Sequence, residues 1–175
     1  MGGVINERIS RKTISSQELE KLIRDISFSD SPSQIESAVE NSNLFDYQKN
    51  VLVRIANNYD IGSEARKAFA SDLIASEETR LIKSTTKTDI LIRLGPILGL
   101  LGTLIPLGPG LAALGSGDIT TLAESLTIAF DTTVTGLSVG AVAYVISKYR
   151  KQWYESDLIT LETIAEAELE SLNKR

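Results

Sequence analysis

Glu124, Thr127, Asp131, Thr135 and Ser138 recur at intervals of three, four, four and three residues. At ~3.6 residues per turn this spacing sets them along one side of a helix. Carboxylates and hydroxyls in a line supply the hydrogen-bonding surface that water and a hopping cation require. They do not supply a nucleophile with its base. The chain contains neither histidine nor cysteine, so the commonest general base, the commonest metal ligand and all thiol chemistry are missing. Asp131 sits near the middle of a long apolar stretch, where an acid costs roughly 2.5–3.5 kcal/mol on membrane-insertion scales. It should therefore face protein or water, and the row points to ion passage rather than to enzyme chemistry. The serines, lacking a partner base, read as helix caps and linkers.

The elements that must hold this row follow from where the charges lie. All 18 Lys and Arg residues fall at or before Arg93 or at or after Lys148. The 54 residues between contain only three acids, Asp118, Glu124 and Asp131. Two spans are expected there, 90–114 and 119–147, each long enough for a ~30 Å hydrocarbon core. Pro96, Pro106, Pro109 and the glycines of the first span would be poor choices inside a soluble helix. In a bilayer they are tolerated where a neighbouring helix repairs the backbone, and glycine permits close helix–helix approach. Gly115-Ser116-Gly117 is expected to form the hairpin turn, with Asp118 as N-cap of the second span. Gly108-Pro109-Gly110 also reads as a turn, so the outer end of the first span is expected near it. Neither glycine cluster is a phosphate loop, since no Lys-Ser/Thr follows.

The apolar pattern continues past Ser147 to about Leu172. A single helix over 119–172 would be roughly 80 Å long, so its C-terminal part is expected to project into solvent. Lys83, Lys87 and Arg93 precede the first span and Lys148, Arg150 and Lys151 follow the second. By the positive-inside rule both long ends are cytoplasmic, with Tyr144, Tyr149, Trp153 and Tyr154 at the inner interface.

Residues 1–89 read as a cytoplasmic helical region. Ser15 with Glu18 is a capping box, followed by the stripe Leu19, Leu22, Ile23 and Ile26. Ser31-Pro32 with Gln34 is a second helix start. A third helix is expected from about Asp46 to Asn58, with Tyr47, Val51, Leu52 and Ile55 inward. After the turn-forming run 57–62, Ser63 opens a long helix carrying Phe69, Leu73, Leu81 and Ile82. Glu77-Glu78 beside Arg80 and Lys83 reads as a solvated face. No signal peptide is visible. The formal net charge of −5 argues against a nucleic-acid partner. The expectation is an all-α membrane protein: a transmembrane helical hairpin with long cytoplasmic helical extensions over 1–89 and 148–175, and no cofactor or metal.

The run Pro96-Ile-Leu-Gly99-Leu-Leu-Gly102-Thr103 resembles the second transmembrane segment of the MotA/TolQ/ExbB proton-channel family. The run from Leu122 through Phe130-Asp131-Thr132-Thr133 to Gly136-Leu137 resembles its third segment. The resemblance is specific over about 90–155. It implies that Thr103 and Thr133 line the ion path beside a partner's membrane aspartate. It further implies a pentameric ring around single-span partners of the ExbD/TolR/MotB kind, in the plasma or inner membrane. Two departures stand out. The family normally opens with another transmembrane helix, whereas Met1-Gly-Gly-Val-Ile and Asn6-Glu-Arg8 read as lying just downstream of one, as after truncation. Asp131 and Thr133 are also ~200° apart on a helix, so they serve different faces.

The leading expectation is an ion-conducting subunit of an energy-transducing motor. The alternatives are a pore-forming hairpin toxin, which would be water-soluble until triggered, and a structural scaffold in which the row serves helix packing alone.

Overall fold

The computed structural model describes residues 14–29 and 31–174, so the reading of Met1–Arg8 lies outside the described residues. Among the described residues there are five helices and no strand: α1 Ser16–Ser27, α2 Pro32–Glu40, α3 Asp46–Asn57, α4 Ser63–Gly115 and α5 Ile119–Asn173. Local chemistry sets their ends. The Ser15 hydroxyl accepts from the Glu18 N–H at 3.2 Å, and the Glu18 carboxylate accepts from the Ser15 N–H at 2.9 Å. The Ser31 hydroxyl accepts from the Gln34 N–H, with Pro32 at the first helical position. Each bond satisfies a backbone N–H that has no partner within its helix.

The chain divides into two compact units. The first combines the residues up to Arg80 with those from Glu155 onward. Its core takes Leu22 and Ile26 from α1, Ile35 and Val39 from α2, and Val51, Leu52 and Ile55 from α3. Ala70 and Leu73 come from α4, and Leu161, Ile164, Ala165 and Leu172 from α5. Two polar contacts lock the last of these in place. Buried Gln48 donates to the Asp157 carbonyl at 2.8 Å, and the Ser171 hydroxyl donates to the Ile26 carbonyl at 3.1 Å. The tail of α5 therefore does not simply project into solvent. Its apolar face every third or fourth residue needs a partner, and α1–α3 provide one.

The second unit is residues 81–154. Here α4 and α5 pack antiparallel as a hairpin. Gly117 takes the left-handed conformation at φ +78°. Its N–H donates to the Leu114 carbonyl, and that of Asp118 to the Ala113 carbonyl, both at 3.0 Å. This paired pattern is a Schellman stop. Asp118 then accepts from the Thr121 N–H at 3.1 Å and opens α5. The turn expected at 108–110 is absent, because α4 stays helical through Pro106 and Pro109 to Gly115. Gly110 faces Ser125, with a Cβ there lying only 2.7 Å from the Ser125 Cβ, so packing against α5 carries the helix across its prolines.

Both helices are long and apolar enough to cross a membrane, yet only 11% and 17% of their most apolar windows is buried within the chain. The core helix of a soluble protein would be mostly covered. Among the described residues, all the exposed large apolar side chains except Phe28, Tyr59 and Ile159 lie within 81–154. Lipid is the solvent that accepts such a surface without penalty.

Candidate functional site

The hairpin is held by a seam of small residues. On α5, Ser125, Ala129, Gly136, Gly140, Ala143 and Ser147 face α4, with Thr132 and Thr133 half-buried beside them. On α4, Gly95, Gly99, Gly102 and Gly110 face back. At the crossing, a Cβ on Gly136 would stand 2.5 Å from the Gly99 Cα and 2.6 Å from the Gly95 carbonyl oxygen. The two backbones touch, as the membrane helix-packing argument anticipates. Gly140 likewise makes room for the Pro96 ring. The sequence reading noted that glycines allow such approach but did not resolve this line. Its signal is the seven-residue repeat of small residues at 129, 136 and 143 and at 133, 140 and 147.

The seam decides where the polar residues go. Glu124, Thr127, Asp131, Thr135 and Ser138 are all exposed on the single chain. Their row occupies a different side of α5 from the seam, so any burial must come from other molecules. Asp131 and Thr135, with Thr132, line an open groove of about 440 Å³. Its remaining walls are Gly95, Leu98 and Gly99 of α4 and Ile128, Gly136 and Val139 of α5. Glu124 and Thr127 are not part of this lining. Thr103 and Thr133 are half-buried, and neither lines the groove. The structure thus gathers Asp131 with Thr135, and keeps Thr133 apart from them as the ~200° separation requires.

The hydroxyls share one habit. Thr103 donates to the Leu100 carbonyl at 2.7 Å, Thr127 to Ala123 at 3.0 Å, Thr133 to Ala129 at 3.2 Å and Thr135 to Asp131 at 2.8 Å. With the proton turned back onto its own helix, each oxygen presents only lone pairs outward. Such oxygens suit a hydrated proton or a small cation rather than an anion.

At the other end of the hairpin from its turn lies a polar cluster that the sequence reading missed. Ser147 donates to one oxygen of Asp89 at 2.6 Å, and Lys151 donates to the other at 2.7 Å. Arg150 reaches the Ser84 hydroxyl and, at 3.0 Å, the Tyr154 hydroxyl. The Lys151 ammonium, then the Ser147 hydroxyl, hold the Asp89 carboxyl below its usual range.

A sequence model of the MotA/TolQ/ExbB proton channel family matches residues 36–163, which take in both arms of the hairpin. The chain belongs to this family. No curated protein and no solved structure gave a match. MotA/TolQ/ExbB membership agrees with the two apolar helices in assigning the chain to a membrane and to a family of channel proteins. The match contains both Thr103 and Thr133, and also Asp131.

Proposed function

We propose that this chain is the ion-conducting subunit of an energy-transducing or stator-type membrane motor, in which protons moving down their gradient drive a partner protein. One observation carries the reading. A carboxylate, Asp131, and the hydroxyls of Thr127 and Thr135 lie uncovered on a span, 119–147, whose other exposed residues are mostly apolar. An acid at mid-span facing hydrocarbon costs roughly 2.5–3.5 kcal/mol, so protein or water must cover Asp131. Further copies of the chain and a single-span partner of the ExbD/TolR/MotB kind, arranged as a ring of five around it, fit that need and the family.

Both long ends lie in the cytoplasm on this reading. Lys83, Lys87, Arg93, Lys148, Arg150 and Lys151 flank the spans, while the turn carries only Asp118. Thr103 and Thr133 offer their oxygens at one edge of the seam, and Asp131 with Thr135 offers a second polar surface beside the groove. One surface meets the partner and the other meets the next copy.

The test is ion flux through the complex purified from its own membrane by a tag on this chain and placed in liposomes. Thr133→Val and Asp131→Asn keep the size of each side chain and remove its polarity or charge. At least one should abolish flux while the oligomer stays intact. Flux unchanged in both variants would leave the scaffold reading, which the hydroxyls' bonds to their own helices also allow.

A further inference from the structure

Asp89 and Thr103 are fourteen residues apart on α4, and Thr133 and Ser147 are fourteen apart on α5. Fourteen residues are close to four whole helical turns, so members of each pair lie on one line of their helix, ~21 Å apart along it. The antiparallel packing joins the two lines at one end, where Ser147 donates to Asp89 at 2.6 Å. Thr133 stays beside the seam at the same register as Gly99, since a Cβ on Gly99 would lie 3.4 Å from the Thr133 carbonyl. The threonine pair and the Asp89–Ser147 pair therefore occupy the same side of the hairpin, mid-span and inner end respectively. Between them the α5 line carries no charged residue, and the α4 line carries Arg93 alone, one turn from Asp89.

We propose that Asp89 is the inner-mouth carboxylate of the ion path, receiving the cation that has passed Thr103 and Thr133 and releasing it to the cytoplasm. This rests on the function proposed above. Ser147 is a positioning residue: its hydroxyl proton fixes one carboxylate oxygen and aims the other outward. Lys151 holds that outer oxygen at 2.7 Å, but half of the Lys151 side chain and about a third of that of Asp89 are exposed. Exposed ion pairs contribute little to stability and exchange readily with solvent, so Lys151 is a competitor that a passing cation displaces. The charged groups facing Asp89 are Lys151 and, more weakly, Arg93. They keep the carboxyl ionised at cytoplasmic pH, which is the state a cation acceptor needs.

The alternative role for the same residues is a clasp that only ties α4 to α5. Flux through the natively purified complex in liposomes, with a pH-sensitive dye inside, separates the two. Asp89→Asn keeps the shape and an acceptor for Ser147, and should lose most of the flux. Asp89→Glu should restore most of it. Lys151→Gln breaks the same ion pair from the other side and should leave flux at or above the wild-type rate. A clasp predicts equal losses in Asp89→Asn and Lys151→Gln, with matching losses of oligomer stability, and that result overturns the proposal. So does wild-type flux in Asp89→Asn while Thr133→Val is inactive. Absence of flux in the wild-type complex itself would instead strike the function on which the proposal rests.

Discussion

Gly136 sits where the two backbones of the hairpin meet, and alanine there tests that geometry. The added Cβ would lie 2.5 Å from the Gly99 Cα, 2.6 Å from the Gly95 oxygen and 2.8 Å from the Gly99 nitrogen. Comfortable carbon–carbon contact needs about 3.5–4.0 Å. All three obstacles are backbone atoms, so no rotamer change relieves them, and the helices must part by roughly 1 Å at the crossing. Overpacking of a tight core costs about 1–3 kcal/mol. We expect the upper half of that range here, because separation at Gly136 also loosens the Gly95–Gly140 and Gly99–Thr132 contacts. Gly108→Ala is the control: nothing lies within 4 Å of a Cβ at that position, and replacing a mid-helix glycine by alanine gains about 0.5–1 kcal/mol. The chain has one tryptophan, Trp153, whose fluorescence reports the hairpin during titration with sodium dodecyl sulfate. Gly136→Ala should unfold at markedly lower detergent fraction than wild type, and Gly108→Ala at an equal or higher one. Coincident transitions for all three proteins would refute the backbone-contact seam.

Other perturbations address the remaining parts. Burial pushes the Glu168 carboxyl well above its ordinary value of 4.5, and neither of its oxygens has a partner among the described residues. Between the unfolded value and that raised one, the folded chain holds a proton that the unfolded chain releases, so stability must fall as pH rises through this window. Urea midpoints at several pH values should show Glu168→Gln more stable near neutrality and with a flatter pH slope; parallel curves would contradict this. Gln48→Ala should cost about 1–3 kcal/mol, because the Asp157 carbonyl and the Phe45 N–H lose buried partners. Chemical denaturation would reveal it, and an unchanged midpoint would mean that water replaces the amide. Asp131→Asn should leave that midpoint untouched, since the side chain is exposed on the single chain, and should act on flux alone.

Much of the fold was legible because local chemistry determines it. The Ser15–Glu18 box, the Ser31-Pro32 start and the turn at Gly117-Asp118 are each fixed within a few residues. The hairpin was legible from charge alone, since a 54-residue stretch without Lys or Arg has few uses outside lipid. What failed depends on partners distant in sequence. The apolar face of Leu161, Ile164 and Leu172 shows that a partner is needed but not that α1–α3 supply it. The glycines at 108 and 110 look like a turn until Ser125 is seen against one of them. The same limit governs the site. The spacing of Glu124 to Ser138 gave the polar row correctly as one face of α5. It did not show that the face lies outside the seam, because the seam is set by Gly136 and Gly140 meeting Gly99 and Gly95. The Asp89–Ser147 bond joins residues 58 apart, and only the fourteen-residue offsets from Thr103 and Thr133 hint at it.

The most direct test of the whole account is proton uptake by sealed liposomes containing the wild-type complex, with a potassium diffusion potential applied and the internal pH followed. Ion conduction by the hairpin predicts acidification of the lumen that stops when the potential is dissipated and is lost in Thr133→Val or Asp131→Asn. A wild-type complex that stays intact in the bilayer with its partner, yet passes no proton or sodium ion above the rate of empty liposomes, would contradict it.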